Sequence, residues 1–326
     1  MSRRLRALIK PWPRLLAETI GLLRPHPPRP ASGAVPVESE WESLRFAAFW
    51  FGHASVMLRM PRVSAPDEPG VTIYADPNFR EHAGFKLLGR KVGRRRSTSL
   101  PDELHNAPHP DLILLSHAHF DHWDQDALRW LAQISDRDTT AVIPPGTRKL
   151  LPKGFAHIIE LAWGESRDTH GLTIRAIEPA HWGARAVWDR HRGYNSYVIQ
   201  GDSARVVFAG DTAETSTFDH LSDRNGVDLA VLPIGNYYEP WENQHCTPEQ
   251  AAAMAERMGA RLVLGMHHST FRDVVEPIDE PLKRLIDAFD SNRIVCQRVG
   301  ELWTQPEPDA ATASGSERAH PIATGT

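Results

Sequence analysis

Ser116 is followed by His117-Ala-His119-Phe-Asp121-His122, and this run limits what the chain can build more than any other. Before it stands Asp111-Leu-Ile-Leu-Leu-Ser116, an apolar stretch with the length of a buried strand. Three imidazoles and a carboxylate therefore sit on the loop that leaves that strand. Alternate side chains of an extended segment share a face, so His117 and His119 are expected to point the same way. Asp121 and His122 then turn toward a second point in space. Imidazole and carboxylate donors suit Zn, Mn, Fe or Co.

One loop cannot complete two ion sites, because an ion usually takes at least about three protein ligands. Further donors are expected at other strand ends. Three candidates follow apolar runs: His181 in Glu178-Pro-Ala-His181-Trp182, Asp211 in Phe208-Ala-Gly-Asp211-Thr212, and His267 in Leu264-Gly-Met-His267-His268. Strand ends that face one edge of a sheet sandwich can converge on a single cleft.

Composition narrows the classes. The 326 residues carry 37 Lys plus Arg and 41 Asp plus Glu, a net charge of −4, so no nucleic-acid partner is expected. The two cysteines, Cys246 and Cys296, form no C-x-x-C, which excludes a disulfide framework and a thiolate zinc site. No apolar run reaches the roughly 18 residues of a membrane-spanning helix.

The first 40 residues read as an extension. Arg3, Arg4, Arg6, Lys10 and Arg14 alternate with apolar side chains before a proline-rich stretch. It is either a surface-docked arm or a basic amphipathic segment that touches anionic lipid. Residues 305–326 are small and polar and read as a disordered tail. Between them, residues 41–304 read as one domain. Strands are expected at 44–49, 55–60, 72–75, 111–116, 140–143, 172–178, 195–200, 205–209, 229–233 and 262–266. Helices are expected at 125–134, 248–258 and 280–289, with Thr247 capping the second and Gln250 completing a capping box. Early strands follow one another and later strands alternate with helices. That order suggests two sheets packed face to face with helices outside, an α/β architecture.

The motif order resembles the metallo-β-lactamase superfamily. Gly52-His-Ala-Ser55, Ala75-Asp-Pro77, Ser116 to Asp124, His181-Trp182, Phe208 to Thr212, Pro233-Ile-Gly235, Gln244-His245 and His267 with Thr270-Phe271 are similar to one branch. That branch is the N-acylphosphatidylethanolamine-hydrolysing phospholipase D group and its bacterial relatives. The resemblance spans about residues 44–300 and implies a four-layer αβ/βα sandwich with a binuclear metal cleft at one edge. It implies His117, His119 and His181 on one ion, Asp121, His122 and His267 on the other, and Asp211 bridging them, with His268 as the alternative to His267. The cofactors would be two divalent ions, Zn first, with Mn or Fe as alternatives.

The implied activity is a phosphodiesterase using a metal-bridging hydroxide as nucleophile, acting on a phospholipid or small-molecule substrate. The alternatives are a lactonase or ester hydrolase for a sugar-phosphate-like substrate and, from another class, a non-catalytic metal-binding protein. Asp121, Asp211 and His245 are the candidate catalytic residues, His245 as donor to a leaving alkoxide. Asp76 and then Asp124 are the candidates for holding ligand imidazoles, and His53 is expected on the cleft floor. The basic run Arg90, Lys91, Arg94, Arg95 and Arg96 is either a phosphate-binding cluster or a solvated loop. Trp182, Trp188, Tyr237, Tyr238 and Trp241 are either an apolar wall or core. The expected location is the cytoplasm, with peripheral membrane contact.

Overall fold

A computed structural model describes residues 27–63, 68–87, 90–135, 138–185, 189–223, 226–238, 241, 243–271 and 276–306. A seven-stranded sheet has the order β15-β1-β2-β3-β6-β7-β8 and a six-stranded sheet the order β14-β13-β12-β11-β10-β9. The first sheet is built from β1 (Ala47–Gly52), β2 (Ser55–Met60), β3 (Val71–Ala75), β6 (Leu112–Leu114), β7 (Thr140–Ile143), β8 (His157–Glu160) and β15 (Leu302–Thr304). The second comprises β9 (Ser166–Thr169), β10 (Leu172–Ile177), β11 (Ser196–Gln200), β12 (Arg205–Phe208), β13 (Val227–Pro233) and β14 (Ala260–Met266). β4 (His82–Leu87) and β5 (Arg90–Arg95) form a separate antiparallel hairpin.

Most of the central strands are apolar on both faces because both faces are covered. Along β1, Ala48 and Trp50 enter the cluster between the sheets, while Ala47, Phe49 and Phe51 join the cluster on the outer side. The same alternation splits Leu229 and Val231 of β13 from Ala230 and Leu232. Helices α1 (Glu38–Glu42) and α2 (Gln125–Ile134) cover the first sheet through Trp41, Leu128 and Leu131. Helices α3 (Pro248–Arg257) and α4 (Glu280–Ala288) cover the second through Ala251, Met254, Ala255 and Leu285. The result is the expected four-layer αβ/βα sandwich.

α3 starts where the sequence says it should. Thr247 Oγ1 accepts from Gln250 N, and Gln250 Oε1 accepts from Thr247 N. β3, β6, β7 and β8 run parallel, as do β12, β13 and β14. Their C-terminal ends therefore gather along one edge, where loops can bring chemistry together.

Part of the segment read as an extension belongs to this packing. Arg29 N donates to Ser97 O, Ser32 N to Val299 O and Val35 N to Asp102 O, and Val35 is buried. Residues 1–26, with the basic run, and 307–326 of the tail lie outside the described residues. The expected strand at 44–49 begins instead at Ala47, after α1.

Leu58 is fully buried between the sheets. Leu58→Ala is expected to destabilise the fold by about 2–5 kcal/mol, and Thr247→Ala by about 1 kcal/mol. Urea denaturation of both variants measures the two losses.

Candidate metal centre

Backbone constraints bring the candidate side chains together. Gly210, two residues past β12, sits at φ +58, and a Cβ there would lie 2.6 Å from Ser116 Cβ. Only glycine lets the loop leaving β12 touch the loop leaving β6, and this contact sets Asp211 against His117. Asn195 N donates to Ser116 O (2.8 Å) and Tyr197 Oη to Leu115 O (2.9 Å), joining the second sheet to the metal loop at the same level. His53, Asp76 and His267 all occupy the left-handed region, at φ 54, 41 and 67. Each such residue costs on the order of 1–3 kcal/mol, held in place by its surroundings.

Four overlapping groups of donors result among the described residues, each with its ligand atoms within 4.8 Å of one another. Two have four members: the first is His117, His119, His181 and Asp211; the second is His53, Asp121, His122 and His267. The others are Asp76 with His117 and His122, and Asp211 with His245 and His267. In the first, His117 Nε2 lies 2.8 Å and His181 Nε2 3.4 Å from His119 Nδ1. Asp211 Oδ2 is 3.7 Å from both His117 Nε2 and His181 Nε2. The same oxygen is 3.0 Å from His122 Nε2, and Asp211 Oδ1 is 3.4 Å from His267 Nε2. Asp211 thus stands between the groups. His245 Nδ1 is 4.0 Å from Asp211 Oδ2, and the His245 ring packs against His181 and His267.

This donor set fits divalent cations. His119 Nε2, His122 Nε2, His267 Nε2 and Asp211 Oδ1 are buried without a hydrogen-bond partner. Buried polar atoms are ordinarily satisfied, and ring nitrogens converging at hydrogen-bond distance need a shared electrophile or proton. Burial, then the neighbouring imidazoles, pushes His117 well below the usual histidine range and His119 to about 3. Burial also lowers His181. These rings are neutral, the form that ligates metals. Burial opposes the charge on Asp211, but His122, His267 and His245 outweigh it and hold the carboxyl well below its usual value. Burial likewise opposes a charge on His122, yet Asp211 and Asp76 raise it well above the normal range. For His267 the Asp211 and Asp121 carboxylates overcome burial and raise it to about 9.

Outer contacts fix the rings. His122 Nδ1 lies 2.6 Å from Asp76 Oδ2, as expected for a carboxylate that orients a ligand. Ser116 Oγ donates to the same Asp76 oxygen and lies 2.9 Å from His117 Nδ1. Asp76 therefore reaches a ring in each group, one directly and one through Ser116. His181 Nδ1 is 3.0 Å from Gln244 O, and Gln244 Oε1 accepts from Trp182 Nε1. In the sequence, Ser116 and Gln244 stand in the resembling motifs beside His117 and His245, and nothing there marks these roles.

Two expectations are corrected. Asp124 orients no ligand ring; its side chain caps α2 through Asp126 N and pairs with Arg80 at 2.5 Å. His268 is turned away from the centre, with Nε2 3.1 Å from Gly265 O and its ring on Trp50. His267 takes the place facing Asp211. Within the basic run, Arg96 is a structural residue: it is buried, donates to Arg80 O and Asn78 O, and lies over Phe271. Arg94 Nη1 donates to Asn236 Oδ1. Tyr237 and Tyr238 both donate to Glu280 of α4, and Trp188 falls outside the described residues.

Residues 73–268 match the family model described as the beta-lactamase superfamily domain. The chain belongs to the metallo-β-lactamase superfamily. It is 29% identical over 279 residues to the N-acyl-phosphatidylethanolamine-hydrolyzing phospholipase D 1 of Caenorhabditis elegans, covering 78% of this chain and 75% of that protein. It is 26% identical over 233 residues to a protein named as a metal-dependent hydrolase in Thermococcus onnurineus, covering 69% of this chain and 96% of the relative. Among solved structures, Igni18, a metallo hydrolase of Ignicoccus hospitalis, shares the fold. Its TM-score is 0.57 at 23% identity, over 80% of this chain and 98% of that one.

Ion uptake must displace protons from His122 and His267, so affinity is expected to fall as pH drops from 8 to about 6. Chelator competition at the two pH values measures it. Cys246, beside His245, donates to Pro233 O and is fully buried, and burial pushes its thiol up. Cys296 is equally enclosed. Neither is expected to react with a thiol reagent until the protein is denatured.

Proposed function

We propose that the protein is a metal-dependent hydrolase that binds two divalent ions and cleaves phosphodiesters of the N-acylphosphatidylethanolamine type. The observation that carries this reading is Asp211, whose carboxylate lies 3.0–3.7 Å from imidazoles of both donor groups. His117, His119 and His181 would hold one ion, Asp121, His122 and His267 the other, and Asp211 both. Bound there, such ions would lower the pKa of water and draw charge from a phosphoryl oxygen. Zn, Mn and Fe all suit the nitrogen and oxygen donors.

The chain's own residues then supply orientation. Asp76 fixes His122 directly and His117 through Ser116. Burial holds His245 well below the usual histidine range, so it acts as a neutral hydrogen-bond donor toward a leaving oxygen rather than as a charged acid. A cavity of about 1100 Å³ opens between α2 and the β4–β5 hairpin. Phe79, Phe120 and Trp130 line it together with Arg80, Asp126 and Arg129, so it suits a substrate with both apolar and charged parts, and none of the seven proposed ion ligands lines it. Among the described residues no helix is long and apolar enough to cross a membrane. A lipid substrate would be met at a bilayer surface, with Arg3, Arg4, Arg6, Lys10 and Arg14 as our candidates for that contact.

The test is a substrate panel. Bis(p-nitrophenyl) phosphate and an N-acyl phospholipid should be hydrolysed, turnover should stop with chelator, and Zn or Mn should restore it. Lactone turnover with no phosphodiester turnover would favour an ester hydrolase, and bound metal without any turnover an inert binder. Asp211→Ala should lose metal and at least about 100-fold in rate. Asp211→Asn should keep some metal but little activity. Full activity in either variant contradicts the bridging role.

A further inference from the structure

We infer that His53 is the residue that positions Asp121, donating from Nε2 to the Asp121 carboxylate, and that it is not itself an ion ligand. The inference rests on the two-ion reading for what Asp121 does. His53 belongs to the second donor group by distance, so its role has to be decided by where its proton sits. Its Nε2 lies 3.0 Å from Asp121 Oδ2, while its Nδ1 is buried without a partner. A neutral imidazole carries one N–H and one lone pair. An ionised carboxylate only accepts, so the nitrogen 3.0 Å from it must donate. The proton therefore belongs on Nε2, facing the carboxylate, and a protonated nitrogen has no lone pair for a metal. The ring is almost sealed from solvent, at 2% exposure.

Asp121 needs such a partner. It is the solvent-facing member of the second group, with its side chain 25% exposed, whereas His53 and His267 are enclosed. Its other nearby ring, His267 Nε2, is 3.6 Å away and is the nitrogen that faces Asp211. His53 is the nearer of the two, at 3.0 Å against 3.6 Å.

The β1–β2 turn is built to deliver the ring. His53 N donates to Thr270 Oγ1 (2.6 Å), and His53 O accepts from both Trp50 Nε1 (2.9 Å) and His267 N (3.0 Å). The backbones of His53 and His267 are thus bonded to one another. The preceding Gly52 has φ +102, and a Cβ on it would lie 2.8 Å from Thr270 Oγ1. The His53 ring packs 3.9 Å from that of His267 and edge-on to Phe271. One turn and one loop therefore place the orienting ring, the ligand ring and the carboxylate as a unit.

The experiment titrates metal-free protein with Co(II) or Zn(II), following stoichiometry, stepwise affinity and the Co(II) visible spectrum. Wild type should take up two equivalents. His53→Asn tolerates the left-handed backbone but is too short to reach Asp121. It should weaken one of the two steps by about 10–100-fold and leave the other unchanged. His53→Gln keeps an N–H donor at similar reach and should recover most of the loss. Wild-type affinities in His53→Asn would overturn the proposal. Equal loss of one ion in both variants would also overturn it, by making His53 a direct ligand. Uptake of a single equivalent by wild type would instead defeat the two-ion reading. A measurement on the unmutated chain does not depend on variant folding: ¹⁵N-histidine spectra should show His53 protonated at Nε2 with and without metal. An unprotonated Nε2 in the loaded protein would refute the assignment.

Discussion

The close approach of Gly210 to Ser116 is the contact on which the site depends. Each follows a strand of a different sheet, and each is followed by a donor: Asp211 after one, His117 after the other. A Cβ at position 210 would open that seam by about an ångström, since ordinary van der Waals contact is about 3.5–4 Å. Asn195 and Tyr197 tie the same level with hydrogen bonds to Ser116 O and Leu115 O. The sandwich core supplies rigidity, but it is this close approach of the Gly210 backbone to the Ser116 side chain that turns two sheet edges into one pocket of donors.

The price of that pocket is concentrated charge and strain. Asp76 and Asp211 are almost fully enclosed, with imidazoles around them, and His53, Asp76 and His267 sit in left-handed backbone. Removing one member of such a group leaves its partners buried and uncompensated, which typically costs more than the contact was worth. The apolar layers on either side carry the compensating stability. Trp50, Leu58, Phe208 and Val231 are sealed between the sheets, and Trp41 and Leu131 lie under the outer helices.

Much of this was legible in the chain. The helix at 125–134 and the strands at 55–60 and 140–143 have the bounds read from periodicity and flanking turns. Gln125–Ile134 is strongly amphipathic, and Thr247 with Gln250 is a local signal that needs no tertiary context. β4 is not expected as a strand and β5 lies within the basic run, because the glycines and cations of this hairpin hide any alternation. β9, Ser-Arg-Asp-Thr, is an exposed polar strand at the sheet edge and carries no hydrophobic pattern at all. At the site, the donors were visible because ligand chemistry restricts residue type and spacing. The roles of Ser116, Gln244 and His53 were hidden, because they depend on which backbone passes which, and Gly210 does not announce its neighbour. Asp124 misled for a related reason: a carboxylate two positions after a histidine suits a ring partner as well as it suits a helix cap.

Double-sided coverage of the central strands has a consequence for how this architecture can diversify. A polar substitution among Ala47–Phe51 of β1 meets hydrocarbon whichever way it points, so drift there is confined to swaps of shape. The loops beyond the strands' C-terminal ends carry no such restriction. New chemistry can be tried there, one loop at a time, on a scaffold that does not register the change.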